Sequence, residues 1–362
     1  MENRTEPQVY IRLSESSKID VSSNINIPSI ERINPAMQLT PDKKDIPTTV
    51  LHSSSPSSPS KLCLPNSASS NSSDNITTDT NSYATTNNSV TTSQPEVTYR
   101  VGVAENKNSK FRRSMEDIHT YVKNFASRLD WGYFAIFDGH AGAQASKWCG
   151  SHLHTIIEQK LMENETRDVR DVLNDSFVTI DKQINSDLHG NSGCTAAVCI
   201  LRWEVPDNLS SEDISNLQQY KRRLYTANVG DSRIVLYRND CSIRLTYDHK
   251  ASDILEMQRV EHAGGLIMKS RVNGMLAVTR SLGDKFFDNL VIGNPFTTSV
   301  EITKDDHFLI LACDGLWDII EDQDACELIK DIDDPNEAAK LLVKYALEHG
   351  TTDNVTVMVV RL

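Results

Sequence analysis

The chain has 362 residues, of which 38% are hydrophobic, and it carries 37 Lys+Arg against 50 Asp+Glu for a formal net charge of −13. That surplus of acid argues against nucleic acid or an anionic membrane surface as the main partner. Its seven cysteines, odd in number and without a C-x-x-C pair, form neither a disulfide framework nor a paired-cysteine zinc site, and they fit a reducing compartment, the cytoplasm or the nucleus.

From Ser53 to Gln94 the sequence is dominated by Ser, Thr, Asn, Pro and Asp, and little apolar periodicity precedes it. Such a segment buries too little apolar surface to offset its ordering entropy, so residues 1–94 are expected to be a mostly disordered tail ahead of a domain spanning 95–362. Within the tail, the run from Ile27 to Ile33 and the Ser55-Pro56 and Ser58-Pro59 pairs are weak candidates for partner or kinase-modification sites. The tail holds 7 Lys+Arg and 9 Asp+Glu, which leaves −11 for the remainder. No stretch is long and apolar enough to cross a membrane, and the polar run from Met1 to Glu6 does not read as a signal peptide.

Val97 to Ala104 alternates as a strand and leads to Arg112, Arg113, Glu116 and Asp117. Guanidinium groups suit a phosphate held through two oxygens, and the alternative is a solvated charge pair beside the acids. Trp131 to Phe137 is a buried strand that stops at Asp138-Gly139-His140. A turn there frees the Asp138 carboxylate and the Gly139 carbonyl for a hard divalent cation; alone, the run reads equally as a plain turn with His140 capping the next helix. Helices are expected over Ala143–Met162 and Val169–Leu188, then strands at Gly193–Leu201 and Arg223–Tyr237. A polar surface loop or insertion is expected from Glu204 to Arg222, and a hairpin turn from Asn228 to Arg233 that places Asp231.

Ser252 to Ala263 reads as a helix closed by Gly264-Gly265. Asp284 is expected to hold a loop through hydrogen bonds rather than to touch metal. His307 to Cys313 is an apolar strand ending in Asp314-Gly315, repeating the Asp138-Gly139 pattern, with Asp318 one turn on and Trp317 as a shield. Asp334-Pro335 opens an amphipathic helix, and Asp353 precedes a final strand. Cys149, Cys194, Cys199 and Cys313 read as small core residues.

Glu116, Asp117, Asp138, Asp231, Asp314, Asp318 and Asp353 thus all stand at strand ends or turns. Gathered together they repel one another by on the order of several kcal/mol, which divalent cations relieve, and oxygen ligands select Mg2+ or Mn2+ over Zn2+. Two such ions lower the pKa of a bridging water and clamp a phosphoryl group for in-line attack. A structural calcium site would need an EF-hand-like loop, which is absent.

In order along the chain stand Arg112-x-x-x-Glu116-Asp117, Asp138-Gly-His-Ala-Gly142, Gly193-x-Thr-Ala196, Gly230-Asp-Ser-Arg233, Leu276-Ala-Val-x-Arg-x-Leu-Gly-Asp284, Ala312-Cys-Asp-Gly-Leu-Trp-Asp318 and Asp353-Asn-Val-Thr-Val357. This set resembles the metal-dependent type 2C (PPM) Ser/Thr protein phosphatases, and most closely a fungal one, over residues 97–362. The resemblance implies an α+β fold with a central sandwich of two antiparallel sheets flanked by helices. It also implies that Asp138 bridges two metal ions, Asp314 and Asp353 completing one site and Glu116 with the Gly139 carbonyl the other. Asp231, Asp314 and Asp318 match a third, weaker position. Arg112 would hold the phosphate and His140 would protonate the leaving Ser or Thr oxygen.

Arg113 adds a second charge beside Arg112, and the stretch from Glu204 to Arg222 is longer than the family's loop; both bear on substrate choice. The rival readings are a binding module without turnover and a different two-metal phosphoesterase. The expectation is a monomeric Mg2+/Mn2+-dependent protein phosphatase acting on signalling phosphoproteins, with stress-responsive kinase cascades as its field by analogy with fungal relatives.

Overall fold

The computed structural model describes residues 10–12, 97–188, 190–204 and 220–362. The candidate modification and partner segments at 27–33 and 55–59 lie outside the described residues, as do residues 205–219.

In chain order the elements begin with β1 (Tyr10–Arg12), β2 (Arg100–Asn106), β3 (Ile118–Lys123), β4 (Gly132–Phe137) and a two-residue β5 (Gly139–His140). Helices α1 (Gln144–Glu163) and α2 (Val169–Asp187) follow, then β6 (Gly193–Cys194), β7 (Ala196–Glu204), β8 (Lys221–Val229), β9 (Arg233–Arg238) and β10 (Cys241–Arg244). A small excursion holds α3 (Ile254–His262), β11 (Ile267–Met268), β12 (Arg271–Val272) and β13 (Leu282–Gly283). The chain ends with β14 (Phe296–Ile302), β15 (Asp306–Ala312), α4 (Asp314–Trp317), α5 (Asp322–Ile329), α6 (Pro335–Glu348) and β16 (Val355–Arg361).

These strands make a six-stranded sheet in the order β1-β14-β8-β7-β4-β3 and a five-stranded sheet in the order β10-β9-β15-β16-β2, with a three-stranded β13-β6-β5 patch beside them. Alternation of side chains explains the layering. On β4, Tyr133, Ala135 and Phe137 pack with Leu153, Ile157, Leu173 and Phe177 of α1 and α2. Phe134 and Ile136, pointing the other way, join Leu309, Leu311 and Met358 of the second sheet. Ile310, Val357 and Val359 face outward onto Leu342 and Ala346 of α6. Both faces of β4 and β15 are therefore buried, which is why their sequences read as unbroken apolar runs.

Two expectations are corrected. The Asn228–Arg233 turn is no hairpin, because β8 is already paired on both edges, by β7 and by β14, and β9 crosses to the other sheet. The stretch from Glu204 to Arg222 is not all loop: the β7–β8 ladder runs out to Glu204 opposite Lys221 and Trp203 opposite Arg222. There the Arg222 guanidinium lies 5.9 Å from the Tyr99 ring and 5.6 Å from the Trp203 ring, contacts that favour continuing the pair. Tyr10–Arg12, within the segment expected to be a tail, pairs with Thr297–Ser299 at the sheet edge.

Helix α6 lies against β2 with its Asp334 side chain accepting from the Asn336 amide at 2.8 Å. Gly102 sits under this helix start, where a Cβ would overlap the Pro335 carbonyl carbon. Gly102→Ala is expected to destabilise the fold by about 1–3 kcal/mol through forced separation of strand and helix. Urea unfolding measures it as a lowered midpoint at unchanged slope; an unchanged midpoint would contradict this packing.

Candidate active site

Strand ends from both sheets deliver acids to one place. β4 ends at Asp138, β15 at Asp314 through Cys313, the β8–β9 crossover carries Asp231, and Asp353 enters β16. Asp117, just before β3, is 2% exposed and accepts from Thr356 Oγ1 at 2.7 Å. Ligand atoms of Asp117, Asp138 and Cys313 lie within 4.8 Å of one another. The Oδ1 of Asp314 is buried and has no hydrogen-bond partner among the described residues.

Burial and like charge act together on these carboxyls. Asp138 is pushed well above the ordinary carboxylate range, first by burial and then by the charges of Asp117, Asp314, Asp231 and Asp353. Asp314 is raised in the same way, by burial and then by Asp231, Asp353 and Asp318, with Lys250 opposing. Burial pushes Asp117 and Asp231 up to about 6. Asp353 is raised by burial against the opposing charge of Arg112. The Cys313 thiol is pushed well up by burial, so it is a poor thiolate donor.

The donor set that remains is oxygen, buried or half-buried, short of counter-charge, and includes an orphan carboxylate oxygen. That fits a hard divalent cation. Glu116 lies at the rim, its carboxylate accepting from Ser114 Oγ at 2.7 Å and from the Gly142 amide at 3.1 Å. At Gly139 a Cβ would press on the Glu116 carbonyl and Ser146 Oγ, so the residue keeps the backbone close to Glu116. Asp318 stands further out, and between it and Asp231 lies the Lys250 ammonium, 2.7 Å from Asp318 and 3.7 Å from Asp231. A cation of the chain's own thus occupies the space between these two acids.

The basic residues are also placed. Arg112 pairs with the Asp353 carboxylate and donates from Nε to the Thr352 carbonyl at 3.2 Å. His140 Nε2 stands 2.6 Å from Asp284 Oδ2. Asp284 is 4% exposed, holds a left-handed backbone (φ 54°) and also accepts from Ser281 Oγ. Gly193 opposes this pair, and a Cβ there would overlap Asp284 Oδ2. Asp284 therefore holds its loop, as expected, and in addition fixes the His140 ring, which no local pattern announces.

Sequence reasoning also passed over Asn354. Its side-chain amide donates to the Lys107 carbonyl at 2.7 Å and the Ser114 carbonyl at 3.1 Å, while its Oδ1 accepts from the Glu116 amide at 2.9 Å. One residue beside Asp353 thereby fixes the loop that carries Arg112. An Asn after an acid at a strand entry is a weak signal, since Asn serves many turns.

A family model described as "Protein phosphatase 2C" matches residues 101–355. The chain belongs to the protein phosphatase 2C family. Over 267 residues, 74% of the chain and 95% of the relative, this phosphatase is 81% identical to "Protein phosphatase 2C homolog 1" of Saccharomyces cerevisiae. It is 44% identical to the protein of the same description from Schizosaccharomyces pombe, covering 72% of each chain. Among solved structures, one described as "Structure of a C.elegans sex determining protein" superposes with a TM-score of 0.62 at 26% identity, covering 72% of this chain and 64% of that one. The chain is accordingly a protein serine/threonine phosphatase of a metal-dependent family. Among the described residues no helix is long and apolar enough to cross a membrane.

The raised carboxyls set a pH signature. Asp117 and Asp231 titrate near 6 in the fold against an ordinary value near 4, so between those values the native state holds more protons than the unfolded state. Their contribution to stability therefore falls as pH rises through that window, and a bound divalent cation opposes the loss. The rise in Tm on adding Mg2+ to chelator-treated protein is expected to be larger at pH 7.5 than at pH 5; an equal or smaller rise would contradict it.

Proposed function

We propose that this phosphatase hydrolyses phosphoserine and phosphothreonine on signalling proteins with two divalent cations, Mg2+ or Mn2+, held at the convergent carboxylates. The observation that carries this is the cluster in which Asp117, Asp231, Asp314 and Asp353 all act on the half-buried Asp138. Asp138 would be shared by both ions, with Asp314 and Asp353 on one side and Glu116 and the Gly139 carbonyl on the other. Asp231, Asp314 and Asp318 form a third, weaker position, for which Lys250 competes. When bound, such ions lower the pKa of a water and offset phosphoryl charge.

The chain's own residues supply the remainder. Arg112 has its Nε and Nη2 engaged by Thr352 and Asp353, which leaves Nη1 for a phosphate oxygen. His140 has Nε2 engaged by Asp284, so proton donation to the departing Ser or Thr oxygen falls to Nδ1. Asp284 acts as a positioning residue that keeps the ring in one orientation. The Cys313 thiol beside the acids is buried and pushed up, which makes it a poor nucleophile and fits direct attack by water without a covalent intermediate. We further propose that the enzyme acts as a monomer in the cytoplasm or nucleus, as its unpaired cysteines suggest, and on stress-responsive kinase cascades by analogy with the fungal relatives.

Two measurements test these assignments. Asp138→Asn is expected to abolish Mn2+-dependent phosphate release from a phosphothreonine peptide, by at least about 100-fold; retained turnover would remove Asp138 from the centre. His140→Ala and, less severely, Asp284→Asn should slow turnover of the phosphothreonine peptide more than that of p-nitrophenyl phosphate. The difference is on the order of 10²-fold for a lost general acid, because a phenolate leaves without a proton. Equal losses on both substrates would rule out His140 as proton donor.

A further inference from the structure

Beside the acid cluster lies a loop of opposite sign. Lys107, Lys110, Arg112 and Arg113 place four cations within seven residues of a domain whose net charge is −11. All four are exposed. Arg112 alone pairs with a carboxylate; Lys107, Lys110 and Arg113 have none among the described residues.

The loop is held in one shape. The amides of Phe111 and Arg112 both donate to the Asn108 carbonyl, at 2.9 and 3.0 Å. Asn108, with a left-handed backbone (φ 56°), is 8% exposed and donates from its side chain to the Thr351 and Asp353 carbonyls at 2.9 and 3.1 Å. Asn354 ties down both ends of the loop, at Lys107 and Ser114. A cationic rim is thus fixed against the same segment that presents Asp353.

We infer that this rim selects substrates with acidic side chains flanking the phosphorylated Ser or Thr. The inference deepens the protein phosphatase reading and rests on it. With the phosphate on Arg112, Arg113 next to it in the chain and Lys110 two residues before it would stand beside the flanking positions of an extended peptide. A carboxylate there gains a partner that the rest of the acidic surface denies it, whereas a flanking lysine is repelled by the rim. The rim is solvent-exposed, so each charge pair changes affinity by about two- to fivefold and is screened by salt.

The test uses the full chain with Mn2+ and three phosphothreonine peptides that differ only in carrying Glu, Ala or Lys on either side of the phosphoresidue, with p-nitrophenyl phosphate as a substrate lacking flanks. The expected order of kcat/KM is Glu, Ala, Lys, the differences residing in KM and shrinking as NaCl rises from 50 to 500 mM. The double variant Lys110→Glu/Arg113→Glu should reverse the order while leaving p-nitrophenyl phosphate turnover unchanged. No charge preference in the parent enzyme, or an undiminished one in the double variant, would overturn the rim's role. Failure to hydrolyse any of the four substrates would instead sink the phosphatase reading itself.

Discussion

Like charge held out of water is the constraint on which this structure turns. Asp138 is half-buried where Asp117, Asp231, Asp314 and Asp353 all raise its proton affinity, and Asp314 keeps an oxygen without a hydrogen-bond partner among the described residues. An isolated fold would gain by spreading these groups into solvent. Their retention makes sense when divalent cations supply the missing charge, and it accounts for the choice of oxygen donors and for the buried, protonated thiol of Cys313 beside them.

Holding such a cluster together demands support from the fold. The sandwich provides the coarse placement, because β4 belongs to one sheet and β15 to the other and both end at the same level. Fine placement comes from polar side chains that reach across the chain: Thr356 to Asp117, Asn354 to Glu116 and to the arginine loop, Lys250 to Asp231 and Asp318, and Asp284 to His140. Except for Lys250, these supports are short side chains, Thr, Asn and Asp, which have few rotamers to blur the geometry. Glycines serve the same end where bulk would intrude, Gly193 against the His140–Asp284 pair and Gly139 against Glu116.

The sequence made the strands legible where both of their faces are buried. The runs at Gly132–Phe137 and Asp306–Ala312 and the acids that end them could be read directly, and so could the Asp334-Pro335 helix start. Less visible was anything decided by partners distant in the chain. The segment Asn228–Arg233 looks locally like a hairpin, yet β14, which follows some 70 residues later, takes the edge that β9 would need. Lys250 and Asp284 sit in a small excursion with weak periodicity, and only tertiary proximity brings one to the outer acids and the other to His140. Motif order gave the family-level expectation for Arg112, but its engagement with Asp353 depends on two loops some 240 residues apart.

Calorimetric titration of Mn2+ into chelator-treated protein at pH 6, repeated in buffers of different ionisation enthalpy, tests the central claim most directly. If the buried carboxyls carry protons that divalent cations displace, binding is expected with a stoichiometry of at least two and with net proton release, read as a heat that varies with the buffer. Asp138→Asn should lose the tight sites and the proton release together. Mn2+ uptake with the same heat in every buffer, or none at all, would contradict an account in which charge repulsion among these carboxyls is what the bound cations relieve.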